Sequence, residues 1–421
     1  MSRLGEIIAP ARLGRPFRWN LASVWASNLG DGIALAAGPL LVASLTRNPS
    51  LIAAAVIVQQ VPSLVFSLYA GALADRISRH RLVVVANVLR ALVIGTLVAT
   101  IVTDVVGIWV VLGALFLVGV AEQFSDAGTR SVLPLIVHRD HLAVGNARMM
   151  AGYLVANNLV GPPIGAFLFA AGMALPFGAQ AAAVLLAAWL FTRIDIPRTD
   201  RSERPDTHIR HDILEGLRWI RGNHAVRTLS IVIFVFNLTW GAPWGVLVLW
   251  AQERLGVGPV GFGLLSTASA TGGIVAVLVF DALQARASLA TLMKVCLTLE
   301  VVVHLAFALT TAQWLAMVLM FVFGCYAFVW GSVSTTVRQR ATPLEFQGRV
   351  GSVYWFGLTA GLLVGQALGG LIATHWGIAA PFWFAFVGAG LTLILMWRQL
   401  DSIAHAGDDD PDATAAPSPA A

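Results

Sequence analysis

The stretch GALADRISRHR, residues 71–81, carries Asp75, Arg76, Arg79, His80 and Arg81 within eleven positions. On one side, residues 51–70 hold no charge at all; on the other, residues 82–101 hold only Arg90. Apolar runs of about 18–20 residues are long enough to span a bilayer as helices. The charged stretch therefore reads as a tight turn held at the water surface between two spans.

The same pattern recurs along the chain. Of 421 residues 57% are hydrophobic and only 12% charged, where a soluble domain carries roughly 25% charged residues. Backbone groups in lipid are satisfied only in helices and closed barrels. The apolar runs are continuous rather than alternating, which selects helices. The sequence predicts an all-α integral membrane protein with twelve spans, near 19–45, 51–73, 82–103, 107–129, 145–171, 174–193, 227–250, 260–282, 290–311, 313–336, 350–373 and 378–398. The organisation expected is a six-helix bundle over 1–193, a central loop over 194–226, a second six-helix bundle over 227–400, and a disordered tail over 401–421. The central loop contains the amphipathic stretch DILEGLRWIRG.

Lysine and arginine accumulate on cytoplasmic loops. Arg3, Arg12, Arg15 and Arg18 precede the first span, and Arg76, Arg79 and Arg81 follow the second. Arg139 and Arg148 follow the fourth, and Arg338, Arg340 and Arg349 follow the tenth. The alternate loops hold only Arg47 and Arg254. Both termini and the central loop are therefore expected on the cytoplasmic side of a bacterial inner membrane.

Several chemistries find no residues to perform them. The net charge of +5 is scattered in short clusters between spans, so nucleic acid is not a partner. Lys294 is the only lysine and sits in no glycine-rich loop, which excludes a P-loop ATPase within this chain. Cys296 and Cys325 both lie in apolar runs; neither a disulfide nor a metal site is expected, and no cofactor. No nucleophile triad or membrane-face cluster of His, Asp and Glu marks an enzyme, and the central loop is too small for a sensor's output domain.

The halves repeat. LVGPPIGAFL at 159–168 matches LVGQALGGLI at 363–372, with Gly161 and Gly165 answering Gly365 and Gly369. NLGDG from Asn28 matches NLTWG from Asn237, and GALADRIS matches DALQARAS at 281–288; these two offsets are about 209 and 210 positions. Repeats of this kind place a substrate site near the midplane between the halves.

These motifs resemble the major facilitator superfamily over nearly the whole chain. Its turn between the second and third helices reads roughly G-x-L-A-D-R-x-G-R-[RK]. Here it stands as Gly71, Leu73, Ala74, Asp75 and Arg76, then Ser78 in place of a glycine, then Arg79, His80 and Arg81. In the second-half copy Ala285 falls where Asp75 would. The fifth span resembles the antiporter motif G-x-x-x-G-P-x-x-G-G in Gly161, Pro162 and Gly165, with Asn157 and Ala166 at the outer glycines. LPLIV, GNAR, DILEGLRWI and GRVGS resemble the macrolide, multidrug and siderophore exporter branch. The resemblance implies that Asp75 caps the eleventh helix, that Arg79 pairs with Asp126, and that these contacts stabilise the outward-facing state. A purely topological role for the turn is compatible with the same residues.

Ionisable groups inside a membrane are costly, at roughly 2.5–3.5 kcal/mol on insertion scales, and functional by default. Asp31 and Glu122 fall at mid-span in the first and fourth helices, which line the cavity in this family. They are candidate proton-coupling residues; the alternative is a permanent buried pair with Arg130, Arg90 or a backbone group. Asn28, Asn237, Trp240, Trp244, Tyr326 and Trp330 lie on cavity-lining helices as substrate candidates, or serve packing alone. Glu300 and His304 share the ninth helix, peripheral in this family, and read as a structural pair. The paired prolines Pro162 and Pro163 are expected to bend the fifth span. The function expected is proton-coupled efflux of amphipathic small molecules by a monomer, with a dedicated siderophore or metabolite exporter as the alternative.

Overall fold

The computed structural model describes residues 10–195, 209–343 and 346–404. The expected tail beyond residue 404 and the side chains of Asp75 and Arg76 lie outside what is described. Every regular element among the described residues is a helix. The apolar helices are α1 (Gly14–Leu45), α2 (Pro49–Arg76), α3 (Arg79–Val102), α4 (Ile108–Ile136), α5 (Leu142–Gly152, Tyr153–Val160 and Gly161–Ala171 in succession) and α6 (Leu175–Phe191). They continue as α7 (His224–Gly245, then Leu247–Glu253), α8 (Pro259–Gln284), α9 (Leu289–Leu309), α10 (Gln313–Ala341), α11 (Gln347–Trp376) and α12 (Ala380–Met396). Among the described residues ten helices are long and apolar enough to cross a membrane; α6 and α12, with 17 residues, are apolar but shorter.

Local chemistry sets the ends. Asn48 accepts a hydrogen bond from the Ser50 amide and Pro49 occupies the first helical position of α2, where its missing N–H costs nothing. Asn223 caps α7 through the Val226 amide, and Ser288 caps α9 through the Thr291 amide. Several helices outrun the expected spans: α1 starts at Gly14 rather than 19, α4 reaches Ile136 rather than 129, and α10 reaches Ala341 rather than 336. Hydropathy falls before the backbone is broken. Gly14, with φ +82°, provides the break before α1. In α4 the polar residues Thr129 and Ser131 fold their hydroxyls back onto the Ser125 and Gly128 carbonyls and let the helix continue. In α7, Pro243 lacks an N–H, and the helix breaks at Val246 before resuming.

The prolines of α5 act through hydrogen-bond register. Pro162 and Pro163 cannot donate to the carbonyls four residues back. The preceding segment Tyr153–Val160 adopts a π-helix, and the Gly161 amide donates to the Ala156 carbonyl. A π-turn is a recognised way to absorb such a fault.

The helices pack in a repeated pattern. In the first half α1 lies on α5 and α6, α2 on α4, and α3 on α4 and α6. In the second half α7 lies on α11 and α12, α8 on α10, and α9 on α10 and α12. Between halves, α2 packs on α11 and α5 on α8. Glycines make the closest crossings. A Cβ at Gly165 would collide with the Ile33 carbonyl oxygen, and one at Gly369 with the Ala242 carbonyl oxygen. Small residues let backbones approach where lipid supplies no hydrophobic drive between helices. Gly369→Leu is therefore expected to lose about 1–3 kcal/mol or more from overpacking against backbone. Gly95→Leu, where nothing lies within 4 Å, should leave thermal stability of the purified protein unchanged.

The surface helix Ile209–Gly222 docks on the start of α11. Glu215 pairs with Arg349 at 2.9 Å, Trp219 stacks on Phe346, and Ile220 is buried with Val226 and Val350. This helix marks the arginine-rich face. At the opposite face, Arg47 reaches Gln252 (3.2 Å) and Glu253 (3.9 Å), and the Ser50 and Thr374 hydroxyls meet at 2.9 Å. Those contacts join the two halves there.

Candidate functional site

Three charged residues meet at one depth in the first half. Asp31 on α1, Arg90 on α3 and Glu122 on α4 all stand near the middle of their helices. Arg90 is fully buried and is the hub. Its guanidinium donates to Asp31, to the Ser27 hydroxyl (3.3 Å) and to the Asn87 side-chain oxygen (3.3 Å), and lies 3.5 Å from Glu122. The two acids differ in setting: the Asp31 side chain is 12% exposed and the Glu122 side chain 34%. Asp31 also accepts from Ser27 at 3.3 Å. With both acids ionised the cluster carries net charge −1; with one protonated it is neutral. The alternative partner Arg130 pairs instead with Asp126, one turn along α4 from Glu122.

At the arginine-rich end of α4, Asp126 pairs with Arg130 at 3.4 Å, one turn along the same helix. The pairing expected from the resemblance, Arg79 with Asp126, is not made; the Arg79 Nε is buried without a partner. A partner four residues away needs no tertiary movement, and that local geometry wins. The turn itself is as short as its sequence suggests. Only Ile77 and Ser78 separate α2 from α3, with the Ile77 amide donating to Leu73 and the Leu82 amide to Ser78. Ser78, where the motif has glycine, has φ −60°, a conformation open to any residue. Gly71 has open space around it and Arg81 is exposed. Gly161, Pro162 and Gly165 are buried, and both glycines face α1.

An apolar-walled cavity of about 720 Å³ is bounded mainly by α7, α9, α10 and α11, with Met150 of α5 on one side. Its lining lies at mid-depth and towards the arginine-rich face. Asn237, Trp240, Tyr326 and Trp330 line it as expected from the sequence. Trp240 stacks on Phe323 with centroids 3.8 Å apart, and Phe323 meets Tyr326 edge-on. Trp244 instead walls two smaller spaces, of about 90 and 240 Å³, between the halves. Asn28 and Asn237 each donate their amide to the carbonyl four residues earlier, Val24 and Ile233. Their side-chain oxygens remain for other partners.

Glu300 has a setting beyond the pair expected from the sequence. It does neighbour His304, at 3.6 Å, but it also lines the 720 Å³ cavity. The rotation of α9 turns Cys296, Leu297 and Glu300 towards the cavity. The repeat offers the missed signal, because Glu300 follows Arg90 by the same 210 positions that separate GALADRIS from DALQARAS.

A sequence model of the transmembrane secretion effector family matches residues 7–417. The chain is 27% identical over 407 residues to the multidrug efflux pump Tap of Mycolicibacterium fortuitum, covering 88% of this chain and 94% of that one. In fold it is similar to a point mutant of the nucleoside transporter NupG, with TM-score 0.74, 10% identity, and 92% of this chain and 100% of that one covered. A bacterial homologue of the iron transporter ferroportin in its inward-facing state gives TM-score 0.74, 15% identity, and 92% and 99% coverage.

Proposed function

The chain belongs to the transmembrane secretion effector family of the major facilitator superfamily, and from that premise we propose that it is a proton-coupled exporter of amphipathic small molecules. It works by alternating access between two pseudo-symmetric bundles, residues 1–193 and 227–400, with twelve spans in all. The 17-residue helices α6 and α12 complete the count, and both termini lie in the cytoplasm. The repeated helix pairing and the matched glycine crossings support the pseudo-symmetry. With the arginine-rich face cytoplasmic, the contacts of Arg47 and Ser50 close the outer side and the large cavity belongs to an inward-facing state.

The observation that carries proton coupling is the Asp31–Arg90–Glu122 cluster. One guanidinium balances one carboxylate, so the second acid is the one that gains and loses a proton. Glu122 is that acid: it is the more exposed and the farther from Arg90. Asp31 is the fixed counter-ion. Proteoliposomes with an imposed pH gradient, screened with dyes, macrolides and siderophores while internal pH is followed, test the reading. Uptake of at least one compound accompanied by opposite proton flow is expected; uptake with no proton movement overturns the coupling.

A further inference from the structure

Glu300 is a buried acid, 6% exposed, with no arginine or lysine in ion-pair distance among the described residues. Its ion-pairing neighbour is His304, which carries charge only when both ring nitrogens are protonated. The His304 Nδ1 lies 2.7 Å from the Glu300 backbone carbonyl. A carbonyl only accepts, so that nitrogen carries the proton and donates. The same nitrogen is 3.6 Å from the carboxylate, too far for a hydrogen bond. Tyr326 sits beside the carboxylate, and the Trp330 N–H is buried and unpartnered. An acid with this little compensation is costly in a membrane interior.

The cavity wall around it is aromatic. Trp240 stacked on Phe323, with Tyr326 and Trp330, faces the same 720 Å³ as the Glu300 side chain, a volume typical of small-molecule sites. Aromatic faces attract cations, most strongly where water is excluded. The first half contains the opposite sign at the repeated position: Arg90 neutralises acids from within the protein, whereas Glu300 has no arginine or lysine beside it among the described residues.

We propose that Glu300 and the aromatic wall beside it bind a lipophilic organic cation. Cargo charge is read in the second half, while the Asp31–Arg90–Glu122 cluster of the first half carries the proton. This deepens the exporter reading and rests on it for the word cargo, but the binding site stands on its own geometry.

The test uses two probes of one shape and opposite charge, tetraphenylphosphonium and tetraphenylborate, binding to the purified full-length protein. The wild type should favour the cation. Glu300→Gln should reduce the cation-to-anion affinity ratio at least tenfold, and Glu300→Asp should restore most of it. A merely structural acid would weaken both probes together and leave the ratio unchanged, which overturns the proposal, as does a wild type that prefers the anion. A measurement on the wild type alone covers a variant that fails to fold. Carbodiimide labelling of Glu300, mapped by mass spectrometry, should be blocked by tetraphenylphosphonium and not by tetraphenylborate; labelling unaffected by the bound cation overturns the site. Proton flux in proteoliposomes with an unchanged charge ratio sinks the cation site alone, and a Glu300-dependent ratio with no transport sinks the exporter reading alone.

Discussion

Arg90→Met is expected to destabilise the protein by about 3–5 kcal/mol, the cost of leaving buried charges without their partner. The guanidinium is fully buried and holds Asp31 and Glu122 together with Ser27 and Asn87, so its loss strands two acids at mid-membrane. The triple variant Arg90→Met, Asp31→Asn, Glu122→Gln should recover most of that stability, because it removes every charge at once and keeps similar volumes. Thermal unfolding of the detergent-solubilised proteins measures both. Equal damage in the single and triple variants would show that Arg90 acts through shape, not charge.

Glu122→Gln is expected to abolish accumulation driven by a pH gradient while sparing exchange of cargo down its own gradient. A monovalent cation exchanged for one proton leaves the membrane potential without effect. One pH unit then sustains about tenfold accumulation, at 1.4 kcal/mol per decade. In the variant this ratio should fall to unity, and counterflow of labelled cargo should persist. Accumulation retained by Glu122→Gln would move the proton to another residue. Asp31→Asn should behave differently, losing stability because Arg90 then leans on Glu122 alone and the exchanging acid becomes a fixed one.

The spans were legible because apolar length is a local property, and 51–70 and 82–101 around a charged turn admit no soluble reading. The repeat was legible because its offset is shared by separate motifs. Asp31 and Glu122 were legible as mid-span acids, but spacing along a chain does not say that three helices bring them to one arginine. Arg79 was assigned to Asp126 by resemblance, and the structure answers with Arg130 on the same helix. Glu300 was hidden for a related reason. Whether a residue on a peripheral helix looks inward depends on rotation about that helix's own axis, fixed here by packing of α9 against α10 and α12. Helix ends differed where hydropathy dropped several residues before any glycine or proline intervened.

The wide turn at Tyr153–Val160 separates two mechanical demands on one rod. Downstream, Gly161 and Gly165 must keep their bare side against α1; upstream, Met150 must stay on the wall of the large chamber. In an unbroken α-helix each residue advances the azimuth by about 100°, so these two bearings could not be tuned separately. The looser winding acts as a vernier, letting selection alter the chamber's rim by adding or removing one residue there while the seam between neighbouring backbones stays where it is.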